Sequence, residues 1–157
     1  MRYGMPIVKT LKQHKILLDT HIWIWFSTQT KVFSQAFQNV IEFNRGRHTV
    51  LLSPLSIWEI GMLSERGRIK LGMDPLDWVI QSLDSTRFRV VPISPKIAIE
   101  SSRLPGESHS DPVDRILIAT SHEENAVLVT CDEKILSYSL DKYVSAHNPF
   151  ANQMVEA

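Results

Sequence analysis

The segment Lys15-Ile16-Leu17-Leu18-Asp19 is apolar at consecutive positions and then stops at a carboxylate. A strand with one wet face alternates polar and apolar residues. An unbroken apolar run needs cover on both faces, which helices packed above and below a parallel sheet provide. That requirement constrains the fold more than any other feature. His48-Thr49-Val50-Leu51-Leu52, residues 87–93 and Ala126-Val127-Leu128-Val129-Thr130 read as three further strands, with residues 143–146 as a last edge strand. Helix signals separate them. Thr20-His21 opens a short helical segment through Phe26, and Ser34 caps a helix that shows Phe37, Val40 and Ile41 on one face and stops near Gly46. Ser56 reads as the cap of residues 57–63, ended by Gly67. Asp74-Pro75, Ser94-Pro95 and Asp111-Pro112 each place a capping side chain before a proline at the first helical position. The first two of these helices extend to about Leu83 and about Arg103, and Asp132 caps a short helix to Tyr138. Strands and helices in this alternation define an α/β fold with a mainly parallel sheet.

Composition narrows the function more than the fold. The 157 residues suffice for one domain with its own core. Lys and Arg number 17 and Asp and Glu 17, which excludes nucleic-acid binding by bulk positive charge and leaves room for a basic rim around an acidic site. Cys131 is the single cysteine, so no internal disulfide framework exists. Apolar runs such as Ile22-Trp23-Ile24-Trp25-Phe26 fall far short of the ~20 residues of a membrane span. Lys9, Lys12 and Lys15 follow the N-terminus with no apolar core between them, unlike a secretory signal. A cytoplasmic protein without membrane partners is expected. Residues 1–14 read as an N-terminal extension, 15–147 as the domain and 148–157 as a loose polar tail.

Four acidic residues fall where such a fold places its chemistry. Asp19 ends the first strand, Asp132 lies just past the fourth, Glu59 is expected in the first turn of the helix after the second strand, and Asp114 in the first turn of the Asp111-Pro112 helix. Open α/β sheets bind ligands outside the carboxyl ends of their strands, and all four positions lie on that edge. Ionised carboxylates within ~4–6 Å of one another repel unless a cation neutralises them. A hard divalent ion with oxygen ligands answers that repulsion and suits phosphodiester hydrolysis. Each residue also has a plain local role. Asp19 and Asp132 stand where helix N-caps stand, Glu59 is at capping-box spacing from Ser56, and Asp114 is an acid in a first turn. Spacing by itself leaves a shared metal site and four separate local roles both open.

A resemblance adds to this reading. Leu17-Leu18-Asp19-Thr20-His21-Ile22-Trp23-Ile24-Trp25, Ser53-Pro54-Leu55-Ser56-Ile57-Trp58-Glu59-Ile60, His109-Ser110-Asp111-Pro112-Val113-Asp114-Arg115-Ile116-Leu117-Ile118-Ala119 and Leu128-Val129-Thr130-Cys131-Asp132 resemble, in order and spacing, the PIN-domain family. They are most similar to the VapC-type toxins of prokaryotic toxin–antitoxin pairs, as is the stretch Gly67-Arg68-Ile69. The resemblance covers about residues 15–145. It implies a three-layer α/β/α sandwich and a Mg²⁺- or Mn²⁺-dependent endoribonuclease that hydrolyses RNA by metal-activated water, with no covalent protein intermediate. It implies Asp19, Asp114 and Asp132 as metal ligands, with Glu59 a ligand directly or through water. It further implies a small VapB-type antitoxin as partner, its tail in a groove near the site, and a homodimer. Such toxins usually begin closer to their first aspartate than this chain does.

Other residues were weighed against plainer roles. Asp111 reads as a cap, and Thr20 and Thr130 as local cap or turn residues able to hydrogen-bond the carboxylates. The six histidines include no pair at ligand spacing such as i, i+4, which argues against a zinc site. His109 reads as a loop residue. Trp25 and Trp58 are expected to be buried, since their helices cover the sheet. Arg45, Arg47, Arg66, Arg68 and Lys70 offer charge for an RNA backbone, Arg115 for a carboxylate or phosphate. Cys131 has no base partner that would make it a nucleophile. Two rival functions follow: a non-catalytic PIN-like module that binds RNA or a partner, and an aspartyl-phosphate phosphoryl-transfer enzyme. The second is weak, because Leu18-Asp19-Thr20-His21 lacks the further aspartate two residues on that haloacid-dehalogenase-like phosphatases carry.

Overall fold

A computed structural model describes Leu11, residues 14–106 and residues 111–150. The chain runs β1 (Lys15–Leu18), α1 (Thr20–Thr28), α2 (Gln35–Arg45), β2 (Val50–Leu52), α3 (Pro54–Glu65), α4 (Pro75–Thr86), β3 (Arg89–Val90), α5 (Pro95–Ser101), α6 (Pro112–Glu124), β4 (Ala126–Val129), α7 (Glu133–Leu140) and β5 (Ala146–His147). The strands form one sheet in the order β3-β2-β1-β4-β5, and every neighbouring pair is parallel. Ile16 and Leu18 point to one face, where they meet Ile22 and Trp23 of α1, Val40 and Ile41 of α2, Ile60 of α3 and Trp78 of α4. Leu17 points to the other, where it meets Leu117 and Ile118 of α6 and Ile135 and Tyr138 of α7. The unbroken apolar run therefore does what it predicts: alternate residues fill two cores, one on each side of the sheet.

The chain first moves outward from β1 through β2 to β3, then returns to place β4 on the other flank of β1. The carboxyl ends of β1 and β4 thus flank the point where the strand order reverses, the usual crevice of such sheets. Several boundaries differ from expectation for local reasons. β2 begins at Val50 rather than His48, because His48 takes the left-handed conformation (φ 58°). β3 is confined to Arg89–Val90, since Arg87 is the left-handed cap of α4 (φ 60°) and Pro92 has no N–H to donate. Lys142 (φ 65°) likewise delays β5 to Ala146–His147.

The largest correction concerns α3. Ser53, not Ser56, is its N-cap: the Ser53 hydroxyl accepts the Leu55 N–H at 3.1 Å and Pro54 is the first helical residue. Glu59 therefore stands in the second turn, outside any capping box. The tail also departs from expectation at its start: Pro149 is buried, and the Phe150 ring stacks on Phe33 at 4.8 Å and meets Trp25 at 6.0 Å. Residues 151–157 and most of the expected extension lie outside the described residues. Leu11, within that extension, is buried in the first core. Among the described residues no helix is long and apolar enough to cross a membrane.

Candidate active site

Asp19 follows β1 directly and caps α1. Its two oxygens are held from two directions: Oδ1 accepts the Thr20 N–H at 2.7 Å, and Oδ2 accepts the Thr130 hydroxyl at 2.6 Å. Thr130 is fully buried beyond the end of β4, and its oxygen also accepts the Asp132 N–H at 3.0 Å. One threonine thus ties the ends of the two central strands to each other. Asp132 caps α7, its Oδ1 accepting the N–H groups of Lys134 and Ile135 at 2.9 and 3.0 Å. Burial pushes the Asp19 carboxyl above the ordinary aspartate range, opposed by its bonds to Thr130 and Thr20.

Asp114 and Glu59 complete the edge. Asp114 lies in the first turn of α6, whose N-cap Asp111 accepts the Val113 N–H at 2.8 Å. Among the described residues no hydrogen-bond donor reaches the Asp114 carboxyl, whereas the Thr20 side chain hydrogen-bonds that of Glu59. Burial, followed by the charges of Asp111, Asp19, Asp132 and Glu59, raises the Asp114 carboxyl to about 7. Burial also raises Glu59, with Asp19 and Asp111 adding to it. The structure therefore brings together all four predicted carboxylates, drawn from four distant segments, close enough to perturb one another. Thr20 opposes the rise at Glu59 by its side-chain hydrogen bond, and its buried hydroxyl also hydrogen-bonds the Ser56 hydroxyl on α3 at 2.9 Å, one turn before Glu59.

Two cavities border the cluster. One, of about 320 Å³, is lined by Asp19, His21, Trp25, Cys131 and Asp132. The other, of about 530 Å³, lies between α3 and the start of α6 and is lined by Trp58, Glu59, Met62, Arg66, Arg68 and Asp111, among others.

Residues 16–139 match the PIN domain family. The chain belongs to that family. Ribonuclease VapC22 of Mycobacterium tuberculosis (strain ATCC 25618 / H37Rv) is 32% identical over 123 residues, 78% of this chain and 91% of that protein, which places the chain among the VapC-type PIN proteins. The crystal structure of VapBC2 from Rickettsia felis, bound to a DNA fragment from its promoter, matches with a TM-score of 0.62 at 16% identity, covering 85% of this chain and 97% of that one. The crystal structure of FitAcB from Neisseria gonorrhoeae matches with a TM-score of 0.61 at 17% identity, covering 87% and 99%. Both likenesses are likenesses of fold.

The donor set of this PIN domain fits a hard divalent cation. Every candidate ligand is a carboxylate, Asp114 lacks a hydrogen-bond donor among the described residues, and the carboxylates raise one another. No three His, Cys, Asp or Glu side chains among the described residues stand close enough to enclose an ion by themselves.

Other predicted residues sort cleanly in the PIN framework. Trp58 is 56% exposed, contrary to expectation. The inward residues of α3 are Ser56 and Ile60, and Trp58 lies two positions from each, about 200° around the helix. Trp25 is half-buried against the first core, under the Lys31 ammonium at 3.9 Å. Arg115 donates to the Ser101 carbonyl at 2.9 Å, and Arg45 to Glu42 at the same distance. The Arg47 guanidinium lies 4.6 Å from the Phe43 ring. Burial raises the Cys131 thiol, away from the nucleophilic thiolate. His109 lies outside the described residues. Sequence reasoning allowed Thr130 a bond to a carboxylate but missed that its oxygen also holds the Asp132 N–H, and it missed the open face of Trp58. The first had a weak signal in the threonine two residues before Asp132; the second had none, because α3 is apolar nearly all round.

Proposed function

We propose that the chain is the ribonuclease toxin of a toxin–antitoxin pair, a divalent-metal-dependent endoribonuclease held in check by a small VapB-type antitoxin in the cytoplasm. The observation that carries this reading is the convergence of Asp19, Glu59, Asp114 and Asp132 on one sheet edge, with Asp114 raised to about 7 by burial and by its neighbours' charge. The kinship with VapC22 and the fold shared with VapBC2 support it.

Asp19, Asp114 and Asp132 would hold Mg²⁺ or Mn²⁺, with Glu59 joining directly or through water. The bound ion supplies neutralisation of the carboxylates and Lewis acidity toward the phosphodiester. The chain supplies orientation. Thr20 N–H and Thr130 Oγ1 fix the Asp19 carboxylate, while the N–H groups of α7 fix that of Asp132. These bonds leave one lone pair or one oxygen of each group turned outward. Glu59, hydrogen-bonded by the Thr20 side chain, would orient the attacking water and accept its proton at a carboxylate oxygen.

The test is incubation of total cellular RNA with purified, antitoxin-free protein in Mg²⁺, Mn²⁺ or EDTA, beside Asp19→Ala. Discrete fragments that need the ion and vanish in the variant are expected. Equal cutting by both proteins would point to contamination. A folded sample that binds RNA but leaves it intact in either ion would move the chain to the class of non-catalytic binding modules.

A further inference from the structure

We infer that Trp58, Arg66 and Arg68 form a nucleotide subsite beside the acidic cluster: the Trp58 indole stacks a base flanking the scissile phosphate, and the two arginines bind backbone phosphates leading away from it. The inference deepens the ribonuclease reading and rests on it.

Tryptophan carries a large apolar surface and is usually highly buried. Trp58 is 56% exposed, and it lines the cavity of about 530 Å³ that opens beside Glu59 and Asp111. Along α3, Leu55, Glu59, Met62 and Arg66 follow at steps of four, three and four, so they share one face. Glu59 and Arg66 are then separated by roughly 10 Å along the helix axis. The cavity therefore runs from a carboxylate of the cluster, past an aromatic face and an apolar floor, to guanidinium groups.

Charge selects the occupant. A polyanion approaching four carboxylates on a chain of zero net charge needs local cations. The cavity beside Asp19 and Asp132 has no Lys or Arg in its lining among the described residues, whereas the cavity beside Glu59 has Arg66 and Arg68. Neither arginine pairs with a carboxylate among the described residues. Arg45 and Lys70 line a separate groove bordered by Phe26 and Trp78. An open indole followed by unpaired arginines matches how single-stranded nucleic acid is held: stacking that tolerates any base, and cations that track the backbone.

The experiment measures binding of a labelled single-stranded RNA oligonucleotide of mixed sequence to the full chain carrying Asp19→Asn, which prevents turnover, across a series of salt concentrations. Trp58→Ala should weaken binding about 5- to 150-fold, and Trp58→Phe should restore most of it. Arg66→Ala and Arg68→Ala should each reduce the slope of log affinity against log salt by ~0.7. With Asp19 intact, Trp58→Ala should raise KM more than it lowers kcat. Unchanged binding and KM in Trp58→Ala, in a chain that still cuts RNA, overturns the subsite and leaves the nuclease standing. Equal loss in Trp58→Ala and Trp58→Phe without change in salt slope overturns it too. If Trp58→Ala loses the co-purified antitoxin while RNA binding is unchanged, the groove belongs to a protein partner and the subsite is likewise overturned. Failure of the wild-type chain to bind or cut RNA removes both readings together.

Discussion

The two halves of the acidic cluster are built on opposite principles. Asp19 and Asp132 sit at strand ends, where α1 and α7 begin, and their oxygens accept backbone N–H groups and the Thr130 hydroxyl. Asp114 and Glu59 sit on the faces of α6 and α3 with no backbone N–H donor among the described residues; Glu59 has only the Thr20 side chain and Asp114 no donor at all. The first pair is oriented by the fold itself. The second bears the cost of the crowding: Asp114 is raised to about 7 by burial first, and then by the carboxylates of Asp111, Asp19, Asp132 and Glu59 around it. The lesson is that a carboxylate site needs two kinds of members. Rigid ones fix the geometry before any cation arrives, and less supported ones supply the excess charge that makes a cation welcome.

The sharpest way to break this arrangement is to neutralise a member. Asp114→Asn should lower RNA cleavage by on the order of 10²–10³-fold or more while the chain stays folded, measured by fragment yield against time. Full activity would remove Asp114 from the mechanism. The same variant should be more stable than wild type in EDTA, because it relieves the repulsion, and should gain less in melting temperature when Mg²⁺ or Mn²⁺ is added.

Next in size is the loss of the rigid half's anchor. Thr130→Val strips a buried donor from Asp19 and an acceptor from the Asp132 N–H, and should cost ~1–3 kcal/mol in urea unfolding together with a fall in activity. Thr20→Val removes the side-chain bonds to Ser56 and Glu59 but leaves the Thr20 N–H on Asp19, and should cost activity less. Comparable losses in the two variants would blur the distinction between the halves.

The dependence of stability on pH separates them more finely. In EDTA, Asp114 holds its proton longer in the folded chain than in the unfolded one, so its contribution is present below the ordinary aspartate value and is lost as pH rises toward about 7. Burial pushes His147 on β5 the other way, down to about 4. Its contribution is present above the ordinary histidine value near 6.5 and is lost as pH falls toward 4. The slopes oppose each other between these limits. Asp19 and Glu59, raised as well, add the same falling slope to both proteins, so the difference between the urea midpoints of Asp114→Asn and the wild type should grow with pH across that range. A constant difference would assign the slope to other groups. The smallest effect is expected at Trp58→Ala, within about 0.5 kcal/mol of wild-type stability, because its side chain is largely exposed.

The layers of the fold were legible because strand and helix signals agreed. Consecutive apolar residues marked β1 and β4, and the Asp-Pro and Ser-Pro pairs marked α4, α5 and α6 at the residues where they begin. The phase of α3 was not legible. Leu55, Ile57, Trp58, Ile60, Met62 and Leu63 surround that helix with apolar side chains, so periodicity could not choose its inner face, and the Ser53-Pro54 start was passed over for Ser56. The carboxylates were legible one at a time, each with a cap or first-turn role that Asp19, Asp111 and Asp132 do fill. Their convergence depended on strand order, which local sequence does not encode. Phe150 was hidden for a similar reason: its partners Trp25 and Phe33 lie more than a hundred residues away.

The Thr130–Asp19 hydrogen bond joins residues 111 positions apart, across the β1–β4 pairing. A chain emerging from the ribosome presents Asp19 early and Thr130 and Asp132 late. Until β4 has been made and docked, the edge has neither its buried anchor nor its last carboxylate. The long loop closure that slows this pairing also sets a timer, so the site is assembled only after synthesis has passed residue 132.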